Sequence, residues 1–101
     1  MIVRMWRGRA NPGDGPAYLD HLETSVFPEI RQIPGNLGVH VLRGLGEADH
    51  QFVVETLWSN LEAVRAFAGE DIDVAVVPPE AQALLAEYDD TVEHFDVALE
   101  G

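Results

Sequence analysis

The stretch Val53-Val54-Glu55-Thr56-Leu57-Trp58-Ser59-Asn60-Leu61-Glu62-Ala63-Val64-Arg65-Ala66-Phe67 runs a strand pattern straight into a helix pattern. Phe52, Val54, Thr56 and Trp58 fall on one face of an extended run, and Val53, Glu55 and Leu57 on the other. Ser59 stands where it can N-cap a helix, with Glu62 three residues on to complete a capping box. Leu61, Val64 and Phe67 then repeat at helical spacing, and the pattern fades at Gly69. Trp58 is thereby placed at the C-terminal end of a strand beside a helix N-terminus, a position where binding sites open in mixed α and β architectures.

Working outward, Leu37 to Gly44 alternates as a strand, and the polar turn Gly44 to Asp49 joins it to the strand beginning at His50. Ile2 to Gly8 is a further strand, followed by the turn cluster Asn11-Pro12-Gly13-Asp14-Gly15-Pro16. A helix follows, with the apolar stripe Leu19, Leu22, Val26, Ile30 and Ile33; Pro28 is predicted to kink it or end its regular part near Phe27. Pro34-Gly35-Asn36 stops it. Beyond Gly69 the acidic Glu70-Asp71-Ile72-Asp73 and the apolar Val74 to Val77 precede Pro78-Pro79. The spacing of Ala81, Leu84, Leu85 and Tyr88 predicts a helix over 80–88, and Thr91 to Leu99 is read as the last strand.

Strand, helix, strand, strand, helix, strand is the order of an α+β, ferredoxin-like split βαβ fold. Such a fold has a four-stranded antiparallel sheet with helices on one face and the first strand between the third and fourth. A chain of 101 residues is read as one domain, 1–101. The open face of the sheet is expected to carry Trp6 or Met5, Phe52 and Val54, too apolar for water, so two sheets packed face to face as a homodimer are predicted.

Composition narrows the function. The net charge is -12, all six bases are arginine, and residues 47–101 hold one arginine against fourteen acids. Such a field repels a phosphate backbone, so nucleic-acid binding is disfavoured. Cysteine is absent, which removes disulfides, thiol chemistry and zinc–cysteine sites. No signal peptide and no run approaching the roughly 20 apolar residues of a membrane span is read, so no membrane partner and a cytoplasmic location are expected. Glu70, Asp71 and Asp73 lack the spacing of a calcium loop, and Gly44-Leu45-Gly46 matches no nucleotide fingerprint.

Three segments carry a likeness to a known family. They are Ile30 through Gly38, the Trp58-Ser59-Asn60-Leu61-Glu62-Ala63 turn, and the closing Val92-Glu93-His94-Phe95-Asp96-Val97. In these the chain resembles the antibiotic biosynthesis monooxygenase-like group of dimeric α+β barrels, over nearly its whole length. The superfamily includes cofactor-free quinol oxygenases, haem-degrading enzymes and isomerases. The resemblance matches Trp58 to a tryptophan that members place at the cleft, and His94 to a histidine of the last strand. Haem-degrading relatives use an asparagine in the first strand and a histidine on the second helix. Here no asparagine precedes Asn11 and no histidine lies between His50 and His94, so no haem is expected. The lysine of some quinol-oxidising relatives has no counterpart, because the chain contains none.

Histidine is the side chain best suited to proton transfer near neutral pH. His40 and His94 sit within strands; if Val39, Val41, Phe95 and Val97 face the helices, both histidines face an inter-sheet cleft. His21 and His50 read as solvated surface residues. The resemblance implies a cofactor-independent monooxygenase acting on a small phenolic or quinol-like compound. His94 or His40 would be its base, and Trp58, Trp6 and Phe52 would shape the substrate pocket, with no cofactor and no metal. The alternatives are a non-oxidative isomerase or cyclase using the same base, and a non-catalytic dimeric stress-related or ligand-binding protein.

Overall fold

A computed structural model describes all of residues 1–101. Strand β1 (Ile2–Ala10) leads into helix α1 (Gly15–His21), a π-helical turn over Leu22–Val26 and helix α2 (Phe27–Arg31). Strands β2 (Asn36–Arg43) and β3 (Gln51–Trp58) form a hairpin, and helix α3 (Leu61–Ala68) follows. A short helix α4 (Pro79–Gln82) precedes strands β4 (Leu85–Tyr88) and β5 (Glu93–Asp96).

The sheet is antiparallel and ordered β2-β3-β1-β4, with β5 also on β1. This is the ferredoxin-like α+β fold, with the outer edge split in two. Tyr88 pairs with Gly8 and Glu93 with Met5, so β4 and β5 lie end to end along one side of β1. The helix expected over 80–88 is therefore cut short. Pro79 occupies the first turn of α4, as proline can, but the chain leaves the helix after Gln82. Leu85–Tyr88 then supplies the partners that the free edge of β1 at Gly8–Ala10 requires.

Pro28 acts as expected, with a definite geometry. It has no N–H to give to the carbonyl four residues back, and its ring crowds that carbonyl. The helix widens just before it, and the Phe27 N–H bonds to the Leu22 carbonyl, five residues back. The turn after β3 differs from the Ser59 capping box. Asn60 is the N-cap of α3, its Oδ1 accepting from the Ala63 N–H at 2.9 Å. The Ser59 N–H instead donates to the Gly35 carbonyl at 2.8 Å. Gly35 has φ +93°, and a Cβ there would lie 2.6 Å from Ala63 Cβ, so only glycine lets the two turns meet.

Register fixes the faces. Val41 pairs with Val54 and Val39 with Thr56, so Val39, Val41, Phe52, Val54, Thr56 and Trp58 share the helix-covered face. Arg4 pairs with Thr56 and Trp6 with Val54, so both belong to that face as well. The open face carries Val3, Met5, Leu42, Val53, Leu57 and Phe95 instead. Met5 is thus the open-face residue of the expected set; Trp6, Phe52 and Val54 face the helices. Under the helices the core falls into two clusters. One joins Ala10, Tyr18, Leu22, Phe52, Ala81 and Leu85; the other joins Ile30, Trp58, Ala63 and Val64.

Candidate functional site

Where the two clusters meet, between the sheet and the helices, lies a cavity of about 70 Å³. Its wall is largely apolar, with Leu22, Val26, Val54, Val77 and Val92 among the lining residues. Arg4, Trp6, Tyr18, His21 and Thr56 bring polar groups to it. Trp6 is held by its indole N–H, which donates to the Asp89 carbonyl at 2.8 Å. Its ring lies across Gly8, where a Cβ would come within 2.5 Å of it. Burial pushes the Tyr18 phenol well above its ordinary range, so Tyr18 stays neutral.

Arg4 is the most unusual side chain of the sheet, an arginine only 4% exposed in the central strand. Its guanidinium donates to the Ile72 carbonyl, to the Val74 carbonyl at 2.9 Å and to His94 Nε2 at 3.1 Å. It also lies 5.6 Å from the centroid of the Phe67 ring. Arg4 therefore ties the irregular segment after α3 down onto the sheet. Burial lowers its pKa and Asp73 partly restores it.

His94 is opposite Arg4 in the β1–β5 pairing, on the helix-covered face, and Phe95 is turned outward with 47% of its surface exposed. The parity read from Phe95 and Val97 is thus reversed. With Nε2 accepting from Arg4, the ring proton is assigned to Nδ1, 3.6 Å from Asp73 Oδ1. Burial lowers the His94 pKa most, Arg4 adds to this, and Asp73 opposes both, so the ring is neutral at pH 7. His94 reaches the cavity through Arg4 and is not itself part of the wall.

The other expected site residues are dispersed. His40 is on the open face, its side chain 64% exposed and Nδ1 3.8 Å from Glu55 Oε1. Trp58 has no exposed surface, so it cannot rim a cleft. It stacks on Phe67 at 5.6 Å between centroids, and its indole N–H donates to Thr56 Oγ1 at 2.9 Å. Phe52 is buried against Tyr18 at 5.3 Å. Only Trp6 of the aromatic trio lines the cavity. His21, read as solvated, lines it as well, with Nε2 buried and without a partner in the protein. The signal was present in the sequence: Tyr18, His21 and Leu22 are spaced i, i+3, i+4 and share one helix face.

This arrangement, a split βαβ sheet with a small cavity under its helices, defines a ferredoxin-like α+β protein. Residues 1–72 match the family model for antibiotic biosynthesis monooxygenase, and the chain belongs to that family. No curated protein matches it in sequence. Solved structures share the fold. The haem degrader MhuD from Mycobacterium tuberculosis, with two haems bound in its active site, superposes with a TM-score of 0.71 at 20% identity, covering 100% of this chain and 99% of MhuD. A MhuD mutant with two manganese protoporphyrin IX bound per active site gives 0.74 at 23% identity, with 100% and 98% covered. A protein of unknown function from Nitrosomonas europaea gives 0.72 at 20% identity, with 99% and 91% covered.

A porphyrin does not fit this cavity. The cavity, at about 70 Å³, is far below the roughly 300–1,000 Å³ of drug-sized ligand sites, and α3 carries no histidine. Among the side chains there is no group of three His, Cys, Asp or Glu arranged to hold a metal ion. No helix is long and apolar enough to cross a membrane.

Proposed function

We propose that this chain is a cofactor-independent monooxygenase acting on a small phenolic or quinol-like compound in the cavity beneath the helices. One observation carries the reading: an apolar cavity is faced by a buried cation, Arg4, with a neutral histidine in contact behind it. Chemistry of this class removes a proton from the substrate and lets the anion pass electrons to dioxygen. Neutral His94 is in the form that accepts a proton. Taking it at Nε2 requires Arg4 Nη1 to turn from the ring toward the substrate oxygen. There its charge would stabilise the new anion in a water-poor setting. Asp73, near Nδ1, would offset the charge gained by the ring.

An oxygen electrode with a panel of quinols tests this. The wild type should consume oxygen, and His94→Ala should lose roughly 10²-fold or more of the rate, as expected for a general base. Uptake that is absent for every quinol, or unchanged in His94→Ala, refutes the reading. A second reading, a non-catalytic small-ligand-binding protein, is favoured by one observation: neither His40 nor His94 lines the cavity wall. In either case we propose a homodimer formed by the open sheet faces, supported by the exposed Leu42 and Phe95 there.

A further inference from the structure

We propose that the cavity binds a neutral ligand of a single ring bearing a hydroxyl group, with His21 Nε2 as the atom that takes the hydroxyl. The inference rests on the cavity assigned above as the substrate site, but not on turnover there.

His21 Nε2 is the one buried side-chain nitrogen or oxygen of the chain without a hydrogen-bond partner in the protein. Buried polar atoms without partners are costly and rare, so one on a residue that lines a cavity calls for a ligand group. Of the other polar groups of the wall, Arg4, Trp6 and Thr56 are engaged, while the Tyr18 hydroxyl makes no hydrogen bond to the protein and can join His21 at the ligand hydroxyl. Arg4 serves two carbonyls and His94, and Thr56 Oγ1 accepts from Trp58. His21 also closes α1 where the chain enters the π-helical turn, a feature frequent at functional sites. The turn sets Leu22 and Val26 against the same cavity as His21.

The rest of the wall sets the ligand class. Leu22, Val26, Val54, Val77 and Val92 offer hydrocarbon only, which suits a ring and rejects a charged chain. The volume sets an upper size. About 70 Å³ is near half of the roughly 150 Å³ in which an engineered cavity holds benzene. One ring therefore enters with an outward shift of Val76, Val77 and Pro78, which belong to no helix or strand, and a fused ring system is excluded. Imidazole Nε2 can accept from a hydroxyl or donate to its oxygen according to the tautomer.

Phenol and toluene are the probes, alike in shape and different in the hydroxyl. Calorimetric titration should show phenol bound about ten-fold more tightly than toluene, near the worth of one hydrogen bond. In His21→Phe the preference should vanish, and in His21→Gln it should return in part. Equal binding of the two probes by the wild type, or an undiminished preference in His21→Phe, overturns the proposal. Should His21→Phe fail to fold, the wild type decides alone: phenol should shift the His21 Nε2 signal in a nitrogen–proton NMR spectrum as a new hydrogen bond does, toluene should not, and equal shifts or silence from phenol overturn it. Phenol binding through His21 with no oxygen uptake by any quinol would refute the monooxygenase reading and leave this one standing. Quinol turnover with unchanged KM in His21→Phe would do the reverse.

Discussion

Replacing Arg4 by methionine should destabilise the fold by about 3 kcal/mol. The substitution keeps most of the side-chain volume and removes the guanidinium. Three contacts are lost, to the Ile72 and Val74 carbonyls and to His94 Nε2. Each hydrogen bond to a charged donor contributes roughly 1.5–3 kcal/mol, so the gross loss is on the order of 6 kcal/mol. Against that, the variant no longer buries a charge in a residue only 4% exposed, a penalty of several kcal/mol. The balance is about 3 kcal/mol. With a urea slope of roughly 1.5 kcal/mol/M for a domain of this size, the midpoint should fall by about 2 M. Arg7→Met is the control, because Arg7 pairs with Glu93 at 2.7 Å with both side chains more than half exposed; it should cost less than about 1 kcal/mol. Hydrogen exchange adds a local readout. The Ala75 N–H, which donates to the Asp90 carbonyl, should lose protection in Arg4→Met before β3 does. If Arg4→Met falls no further than Arg7→Met, Arg4 does not hold the segment down and the clamp argument fails.

Three further outcomes are expected. The folded His94 pKa lies below 6.5, so between the two values the folded chain binds fewer protons than the unfolded one. The stability His94 contributes is thus complete above about pH 6.5 and lost as the pH falls toward the folded value. The Tm difference between wild type and His94→Asn should narrow between pH 7.5 and 5, and a constant gap would contradict this. Light scattering at micromolar concentration should give twice the 11.1 kDa chain mass, and Val53→Asp on the open face should give the single chain; a monomeric wild type sinks the dimer. Titration with haem should leave no stoichiometric Soret band, while a tight one-to-one complex would show that the cavity opens far wider than its resting wall.

Much of the fold is legible in the sequence because β3 advertises itself. Phe52, Val54, Thr56 and Trp58 alternate, and pairing with β2 puts all four on the helix-covered face, although Phe52 and Val54 are expected from the sequence on the open one. The closing segment is not legible, for two physical reasons. Ala81, Leu84, Leu85 and Tyr88 satisfy a helical period, but the edge of β1 claims Leu85–Tyr88 and overrides it. The parity of β5 cannot be taken from Phe95 and Val97, because an open face that is itself apolar makes alternation two-sided and leaves the phase undetermined. The candidate site suffers from the same ambiguity. His94 turns to Arg4 because of pairing with β1, a long-range contact no local pattern encodes. The place of His21 is within reach of helical spacing: it lies three residues after Tyr18, which is more deeply buried than the Leu19 of the apolar stripe.

The widened turn before Pro28 also bears on how this helix could lengthen or shorten. In an unbroken α-helix, the eight steps from Leu22 to Ile30 would advance about 800°, leaving the two side chains some 80° apart around the axis. Both are buried against the sheet, which the slower winding of the π turn permits. Seven α-helical steps advance about 700°, within some 20° of two full circles. Excising one residue from Leu22–Val26 would therefore keep Leu22 and Ile30 aimed at the same face while restoring ordinary winding. Pro28 forbids this by itself, since its ring would then meet a regular helix from the inside. A deletion paired with Pro28→Ala escapes that clash. Pro28→Ala should thus rescue the excision in a double-mutant cycle, the excision being harmful alone and mild in company.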